Sequence, residues 1–549
     1  MFDATRLIKE RESEESDRSN FDSLWQEVAQ LCLPRDAHFR STRAPGSPDH
    51  VIYDDYGVHA LDTGTTVFSG YVMPRGTRWQ VLEPPDDALL KYQHVAAWYE
   101  RKTQLLFERR NEAASGFVQQ TDMSAQRLLG FGNQSMWTDV RRDAWGNAVG
   151  LSYRSEPLHE ITIEEDWQGV VGGSKRKFRL PAIEARRRWG PLLSRAPKVL
   201  EKASDVNRER EPCEFLHVVK PNPRIEPGRG DWRGRSHISM FISMEDKEIF
   251  QQLGLDQNPR TYSRLKQSPG EKYGRGRGVD ALPTLRAIQA LQVDIMTASE
   301  LSGMPPLGAA DDDLAGMLRY GPREITFGAV SHRGEKLVQQ LIEFIDTQAM
   351  ERVQAALHKR LDQYFYTDML MVREDVKSHV TAFEWNERNV EKGMLLAPLA
   401  QQETEWFSPM LPREIACMDM LGDFDDMPGE VEEAGGLFAV RYANPLNSMM
   451  EAAGTAGFFR TVEAMAPIWN LKPDALDAFL AEYPIQRVQA EVARISGVPA
   501  TWRATDDERA AAEDAAVQAA QLQQLTEVLP MVGKAANDLA HAEAVGAAA

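Results

Sequence analysis

The run Glu271-Lys272-Tyr273-Gly274-Arg275-Gly276-Arg277-Gly278, leading into Leu282-Pro283-Thr284-Leu285 and closing at Met304-Pro305-Pro306-Leu307, decides how this chain is read. A flexible glycine and arginine loop feeds a helix that a double proline stops. Leu282, Leu285, Ile288, Leu291 and Ile295 recur three to four residues apart, the spacing that gathers side chains on one helix face. Pro283 suits a first turn, where its missing N–H is no loss, and Gly303 with Pro305 makes a stop. Nothing in this stretch carries reactive chemistry, so the pattern predicts a structural rod over 282–302.

A second rod follows. Between Glu335 and Leu361, the residues Leu337, Val338, Leu341, Ile342, Phe344, Ile345, Val353 and Leu357 predict one broad apolar face on a helix of about 25 residues, or ~40 Å. The segment between the rods holds Pro305-Pro306, Asp311-Asp312-Asp313, Gly321-Pro322 and the strand-like Glu324-Ile325-Thr326-Phe327, and it would project from one end of the pair.

Towards the N-terminus, Thr5 to Leu33 predicts a helix with Phe21, Leu24, Trp25, Val28 and Leu31 on one face, stopped by Pro34. Further helices are expected over Tyr56–Val72 and Lys91–Arg110, with a short extended piece at Trp79–Leu82. From Gly146 to Leu180 the period changes toward two, with a turn signal at Gly172-Gly173, and Phe215–Lys220 reads as another strand. After Gly270 helices dominate. Thr381-x-x-Glu384 and Thr505-x-x-Glu508 have capping-box spacing, Asn444-Pro445 is a third helix start, and the tail from about 503 is rich in alanine. The fold class is therefore α+β, predominantly helical.

Composition bounds the rest. With 549 residues and 42% hydrophobic content the chain can bury several cores. Cys32, Cys213 and Cys417 are too few and too far apart for a disulfide scaffold or a zinc motif, and each reads as a small buried residue. No apolar run approaches the roughly 18 residues a membrane helix requires, and the first residues lack a signal-peptide run, so no membrane partner and a cytosolic site of synthesis are expected. A net charge of −19 argues against an ordinary nucleic-acid binder, which gains affinity by neutralising phosphates.

Taken in order, several motifs resemble the head-to-tail connector (portal) proteins of short-tailed bacteriophages. Trp25 with Leu33-Pro34, Ser69-Gly70 followed by Pro74, Trp79 and Leu82, and Glu160 to Asp166 with Gly169 carry part of the likeness. His217 to Asn222, Tyr273-Gly274-Arg275-Gly276, Thr381-Ala382-Phe383-Glu384 with Arg388, Asn444-Pro445-Leu446 and Gly497-Val498-Pro499 carry the rest. Arg277-Gly278 stands where the family usually has Gly-Pro, and Phe383 replaces a smaller polar residue.

The resemblance implies a twelve-subunit ring at one capsid vertex that passes double-stranded DNA during packaging and ejection. It implies a wing over 1–270, a first stem helix over 271–303, a clip over 304–334 and a second stem helix over 335–365. A channel loop over 366–381, further wing helices over 382–502 and a C-terminal crown over 503–549 complete that layout. Implied site residues are Arg373, Glu374, Lys377 and His379 in the channel loop; Asp311, Asp312, Asp313, Arg319 and Arg323 in the clip; and Leu285, Ile288, Leu291, Leu341 and Ile345 in the stem. Implied partners are the terminase large subunit, a tail adaptor, and the major capsid and scaffolding proteins, in the virion and in the host cytoplasm during assembly. An acidic balance suits a conduit, since a wall that gripped every phosphate would hold the duplex fast.

No catalytic residues, metal or cofactor are expected. The chain has no Gly-x-x-x-x-Gly-Lys-[Ser/Thr] loop, His-Glu-x-x-His, Gly-x-Ser-x-Gly or paired cysteines. Asp54-Asp55 and the other acid pairs read as solvated loops, and the basic clusters 175–177 and 186–188 as a solvated face or a contact for DNA or neighbouring subunits. The alternative reading is a cytosolic α+β enzyme with no recognisable motif. An interaction scaffold without a channel is a weaker third.

Overall fold

A computed structural model describes residues 2–40, 51–86, 89, 92–309, scattered positions from 316 to 331, 333–341, 347–369, 395–447 apart from 425 and 437, and short pieces between 461 and 515. The chain divides into two compact units. One comprises Met1–Trp79, Leu106–Asp423 and Asn444–Met450; the other comprises Gln80–Leu105, Phe424–Ala443 and the residues from Glu451 onward.

In chain order the elements begin with α1 (Ala4–Cys32) and α2 (Tyr56–Val72), followed by β1 (Gln80–Glu83), α3 (Gln93–Asn111) and α4 (Phe117–Phe131). Next come β2 (Asn133–Arg142), β3 (Ala148–Ser155), β4 (Ile161–Glu165) and β5 (Val171–Pro181), then α5 (Ala182–Trp189) and α6 (Pro197–Ser204). Strands β6 (Pro212–Pro221), β7 (His237–Ser243), β8 (Glu248–Leu255) and β9 (Arg260–Arg264) lead to α7 (Arg277–Gly303). A small hairpin of β10 (Leu307–Ala309) and β11 (Val338–Gln340) precedes α8 (Gln348–Phe365).

The larger unit is built on two antiparallel sheets, of order β3-β2-β9 and β4-β5-β6-β7-β8. A buried ion cluster ties one sheet to the other. Arg260 on β9 donates to the Glu156 carboxylate at 2.5 Å, to Ser174 on β5 at 3.0 Å and meets His217 on β6 at 3.1 Å. Arg176 on β5 adds a 2.7 Å bond to the same carboxylate. Burial disfavours the charge on Glu156, yet Arg260 and Arg176 outweigh it and hold the carboxyl well below its usual range. Helix α1 lies over this region, with Arg18 donating to the carbonyls of Leu158 and His159 at 3.0 Å each. Trp25, Val28, Phe131, Ile161, Ile163, Tyr262, Tyr273, Val279 and Leu282 form one core, so α1, α4, β4, β9 and the start of α7 share a single hydrophobic cluster.

In the smaller unit β1 pairs antiparallel with Ala439–Tyr442. Asp426 accepts from the Trp98 indole at 3.3 Å and also receives Lys102 and Arg101.

Several sequence expectations change. The signal at Gly172-Gly173 is not a turn: both lie in β5, where a Cβ on Gly173 would come within 2.8 Å of the Glu164 carboxylate. The turn falls at 166–170, with Gly169 at φ +80°. Helix α4 and strands β2, β7, β8 and β9 are not legible in the sequence pattern. The cluster 175–177 is not a free face: Lys175 is buried against Glu14 and Glu164, and Arg176 pairs with Glu156 and Glu160. Arg186, Arg187 and Arg188 are exposed, with Arg188 stacked over Trp189 and Phe241. All three cysteines are free and buried.

Candidate functional site

The two long helices of the larger unit, α7 and α8, form the candidate site, and their root explains the opening stretch of sequence. The glycine and arginine segment is pinned rather than flexible. Asn133 at the start of β2 brackets Gly274 with its side-chain amide, donating to the carbonyl at 2.8 Å and accepting from the N–H at 2.9 Å. A Cβ on Gly276 would sit 2.4 Å from the backbone nitrogen of Gly132, and one on Gly278 2.6 Å from the carbonyl of Gly130. The glycines therefore allow two backbones to touch. Because this approach starts α7 at Arg277, Pro283 lies inside the helix on an exposed face instead of in its first turn.

Leu285 and Ile288 are buried and Leu291 half-buried, as their spacing requires. Leu285 lies against Gly57 of α2, where a Cβ would come within 2.6 Å of it. Helix α8 returns along α7 and stops at Tyr366, whose φ of +61° ends the helical run. Arg277 stacks over the Tyr366 ring at 5.0 Å and donates to its hydroxyl, joining the start of one rod to the end of the other.

A polar clasp closes the middle. Asp54, read in sequence as a solvated loop acid, is buried and accepts from Gln354 and from His358 at 2.8 Å each. Gln289 on α7 donates to the Asp54 carbonyl at 2.6 Å, while Gln354 also reaches Gln292 at 2.7 Å. The Tyr56 ring stacks on His358 with centroids 4.0 Å apart, and its hydroxyl donates to Asp362 at 2.8 Å. Burial first, and then the Asp362 bond, push the Tyr56 hydroxyl up to about 12. The segment before α2 thus laces α7 to α8.

The second rod is shorter than its sequence pattern. It does not begin at Glu335: Val338–Gln340 pairs with Leu307–Ala309, and α8 starts only at Gln348. Leu341 is accordingly a hairpin residue, 69% exposed, whose side chain lies over Gly308 and whose N–H donates to the Pro306 carbonyl at 2.9 Å. Cross-strand pairing satisfies the backbone here, and Leu337, Val338 and Leu341 suit either geometry. An apolar cavity of about 380 Å³, lined by Leu301, Met304, Pro305, Pro306, Leu307 and Leu318, opens at this end of α7.

Arg319 is exposed. Asp311, Asp312, Asp313, Arg323, Ile345, Arg373, Glu374, Lys377 and His379 lie outside the described residues, as do the 381–384 and 505–508 capping boxes. The third predicted helix start is present, with the Asn444 side chain accepting from the Asn447 N–H at 2.8 Å. Among the described residues no group of three His, Cys, Asp or Glu is placed to hold a metal ion, and no helix is long and apolar enough to cross a membrane. The site therefore offers side chains that pack and carry charge.

Comparison with known proteins gives this architecture its class. The model of the bacteriophage head to tail connecting protein family matches residues 4–503. The chain belongs to that family, whose members are structural parts of the phage particle and not enzymes, and this sets aside the enzyme alternative. A curated relative, the portal protein of Salmonella phage epsilon15, is 19% identical over 485 residues, 86% of this chain and 84% of the relative; like it, this chain is a bacteriophage portal. Among solved structures, a chain in the neck of a native GTA particle computed with C12 symmetry has a TM-score of 0.30 at 11% identity, covering 63% of this chain and 72% of that one. A chain in the neck of an empty GTA particle computed with C6 symmetry has a TM-score of 0.33 at 11% identity, covering 69% and 86%.

Proposed function

We propose that the chain assembles into a closed ring, of about twelve copies in keeping with its family, through which double-stranded DNA enters the head and later leaves it. Helices α7 and α8 are the stem of each copy and stand around the channel. The observation that carries this reading is the contrast along the rods: their root is locked into the body, whereas Met296 on α7 and Val353 on α8 are 52% and 54% exposed. A second copy supplies the missing cover. Identical subunits joined head to tail through such non-identical flanks close into a ring when the rotation per copy divides a full turn.

In the same proposal, residues 1–270 and 382–502 form the wing, 304–334 the clip, 366–381 the channel loop and 503–549 the crown. The clip, with Asp311, Asp312, Asp313, Arg319 and Arg323, receives the terminase large subunit during packaging and the tail adaptor afterwards. Arg373, Glu374, Lys377 and His379 face the duplex. Major capsid and scaffolding proteins surround the wing, and assembly takes place in the host cytoplasm.

Light scattering coupled to size-exclusion chromatography, followed by negative-stain imaging of the purified chain, tests the assembly. A ring with a central hole is expected. A monomer or dimer that persists at high concentration contradicts it.

A further inference from the structure

Seven side chains of α8, Gln354, Leu357, His358, Leu361, Asp362, Tyr364 and Phe365, turn toward the body, and what remains is the opposite face. On that face Arg352, Ala356, Lys359 and Gln363 follow one another at intervals of four, three and four residues, and all are exposed. Arg360 is exposed beside them. No carboxylate shares the stripe: Glu351 falls on its flank, and Asp362 points inward to Tyr56. Among the described residues Arg352, Lys359 and Arg360 have no acidic partner. A chain of net charge −19 thus keeps two uncompensated cations, Arg352 and Lys359, in one row of this helix and a third, Arg360, on the flank opposite Glu351.

We infer that this face of α8 is a phosphate-contacting track for duplex DNA. The inference rests on the channel reading above and adds to it a surface distinct from the 366–381 loop. Two features favour DNA over an acidic face of a neighbouring copy. The outward row of α7, the helix that a neighbour would present, carries Pro283, Ala287, Ala290, Asp294 and Thr297, so Asp294 in the row and exposed Glu300 on its flank stand against three cations. Arg286, the cation of α7 beside that row, is already paired with Glu27 at 2.6 Å. In addition, Ala349 at the start of the α8 face and Ala356 at its middle keep it low, leaving room for a broad rod to approach while the long basic side chains reach out to it.

Such a track lets the duplex slide. Arg352 and Lys359 stand about 10 Å apart along the helix at 1.5 Å per residue, so each copy spans only a few phosphates. Each DNA strand climbs about 34 Å per turn. It therefore crosses the height of a given ring of cations at one place around the axis, and only a few copies are engaged at any moment. As the duplex advances, the load passes from copy to copy without all of them gripping together. The charge-assisted bonds are exposed and therefore screened by salt.

The test uses the full-length assembled particle and a mixed-sequence 30-base-pair duplex as probe, with affinity measured by fluorescence anisotropy across a range of salt concentrations. In Arg352→Gln/Lys359→Gln/Arg360→Gln, rings should form normally and affinity at low salt should fall at least tenfold. The slope of log affinity against log salt should fall by about 0.9 for each phosphate that the variant ring no longer neutralises. Lys9→Gln/Arg195→Gln/Arg210→Gln, with the same charge change at exposed positions on the body, should bind nearly as the wild type does. Arg352→Lys/Arg360→Lys should retain binding.

Equal reductions in both triple variants, or none in either, overturn the track. A stem triple that folds as a subunit but no longer closes into rings also overturns it, and assigns the cations to an interface between copies. Wild-type rings with an open centre that do not bind the duplex defeat the track and leave the channel reading standing. Wild-type particles without a central hole defeat the channel reading itself.

Discussion

The body and the stem of the larger unit are held by different physics. In the body, the buried Glu156, Arg260 and Arg176 and the fully buried pair of Arg110 with Glu414 (2.6 Å) join elements distant in sequence, and their partners all come from one subunit. In the stem, the bonds beyond the root are one exposed ion pair, Arg286 with Glu27, and the neutral amides, tyrosine ring and histidine around Asp54, while apolar side chains remain in solvent at Met296, Met304, Leu341 and Val353. A body that satisfies itself can fold alone. Helices α7 and α8 leave apolar surface and a cationic row uncovered, and in the proposed function neighbouring copies and DNA complete them.

The largest expected effect breaks the body. Arg260→Ala leaves Glu156 buried with the shortest of its three arginine partners gone and Arg176 and Arg154 remaining, and subunit stability measured by urea unfolding should fall by about 3–5 kcal/mol. A decrease below ~1 kcal/mol would mean that the cluster does not tie the sheets together.

Acid should act on the body next. Burial first, then the neighbouring His38, lowers His159 from 6.5 to about 4, and burial together with Arg260 lowers the interior His217 well below its ordinary value. Between pH 6.5 and 4 the unfolded chain takes up a proton that folded His159 refuses. Stability therefore drops as pH falls, by about 1.4 kcal/mol per pH unit for each histidine well inside its window. Unfolding midpoints measured from pH 7 to pH 5 should show this slope, and His159→Gln should flatten it. An unchanged slope removes His159 as a cause.

Loosening the clasp should be milder and local. His358→Ala removes the stack on Tyr56 and one bond to Asp54 and should cost about 1–2 kcal/mol. Amide exchange should accelerate over 348–365 while β5 to β7 keep their protection. Equal acceleration in those strands would erase the distinction between the two regions. The smallest effect on the subunit belongs to Val353→Asp. It should change stability by less than about 0.5 kcal/mol, as exposed positions generally do, yet impair ring closure measured by light scattering. Normal rings would show that this flank faces solvent.

The same division governs how much is legible in the sequence. The limits of α1 and α2 can be read because Pro34 and Pro74 punctuate them and their apolar faces repeat at helical spacing. Strands β2 and β9 cannot. They pair Asn133 with Arg264, and nearly every residue of β9 is buried on both faces, so the alternation that marks a half-exposed strand is missing. The rods are visible, but their clasp is not, because Asp54 meets Gln289 and His358 across more than 230 residues and no local pattern announces it. The α8 stripe has a usable signal, since Arg352, Lys359 and Gln363 repeat at helical spacing; the period of the apolar residues in that helix does not reveal it.

An averaged electron-microscopy reconstruction of the assembled particle, viewed down its axis, tests the central claim most directly. An open centre ringed by α7 and α8 of every copy is expected, with Arg352 and Lys359 toward the hole and Met296 and Val353 against the adjacent copy. Separate subunits, or an opening walled by the β-sheets of the body with the stem pointing away, would contradict it.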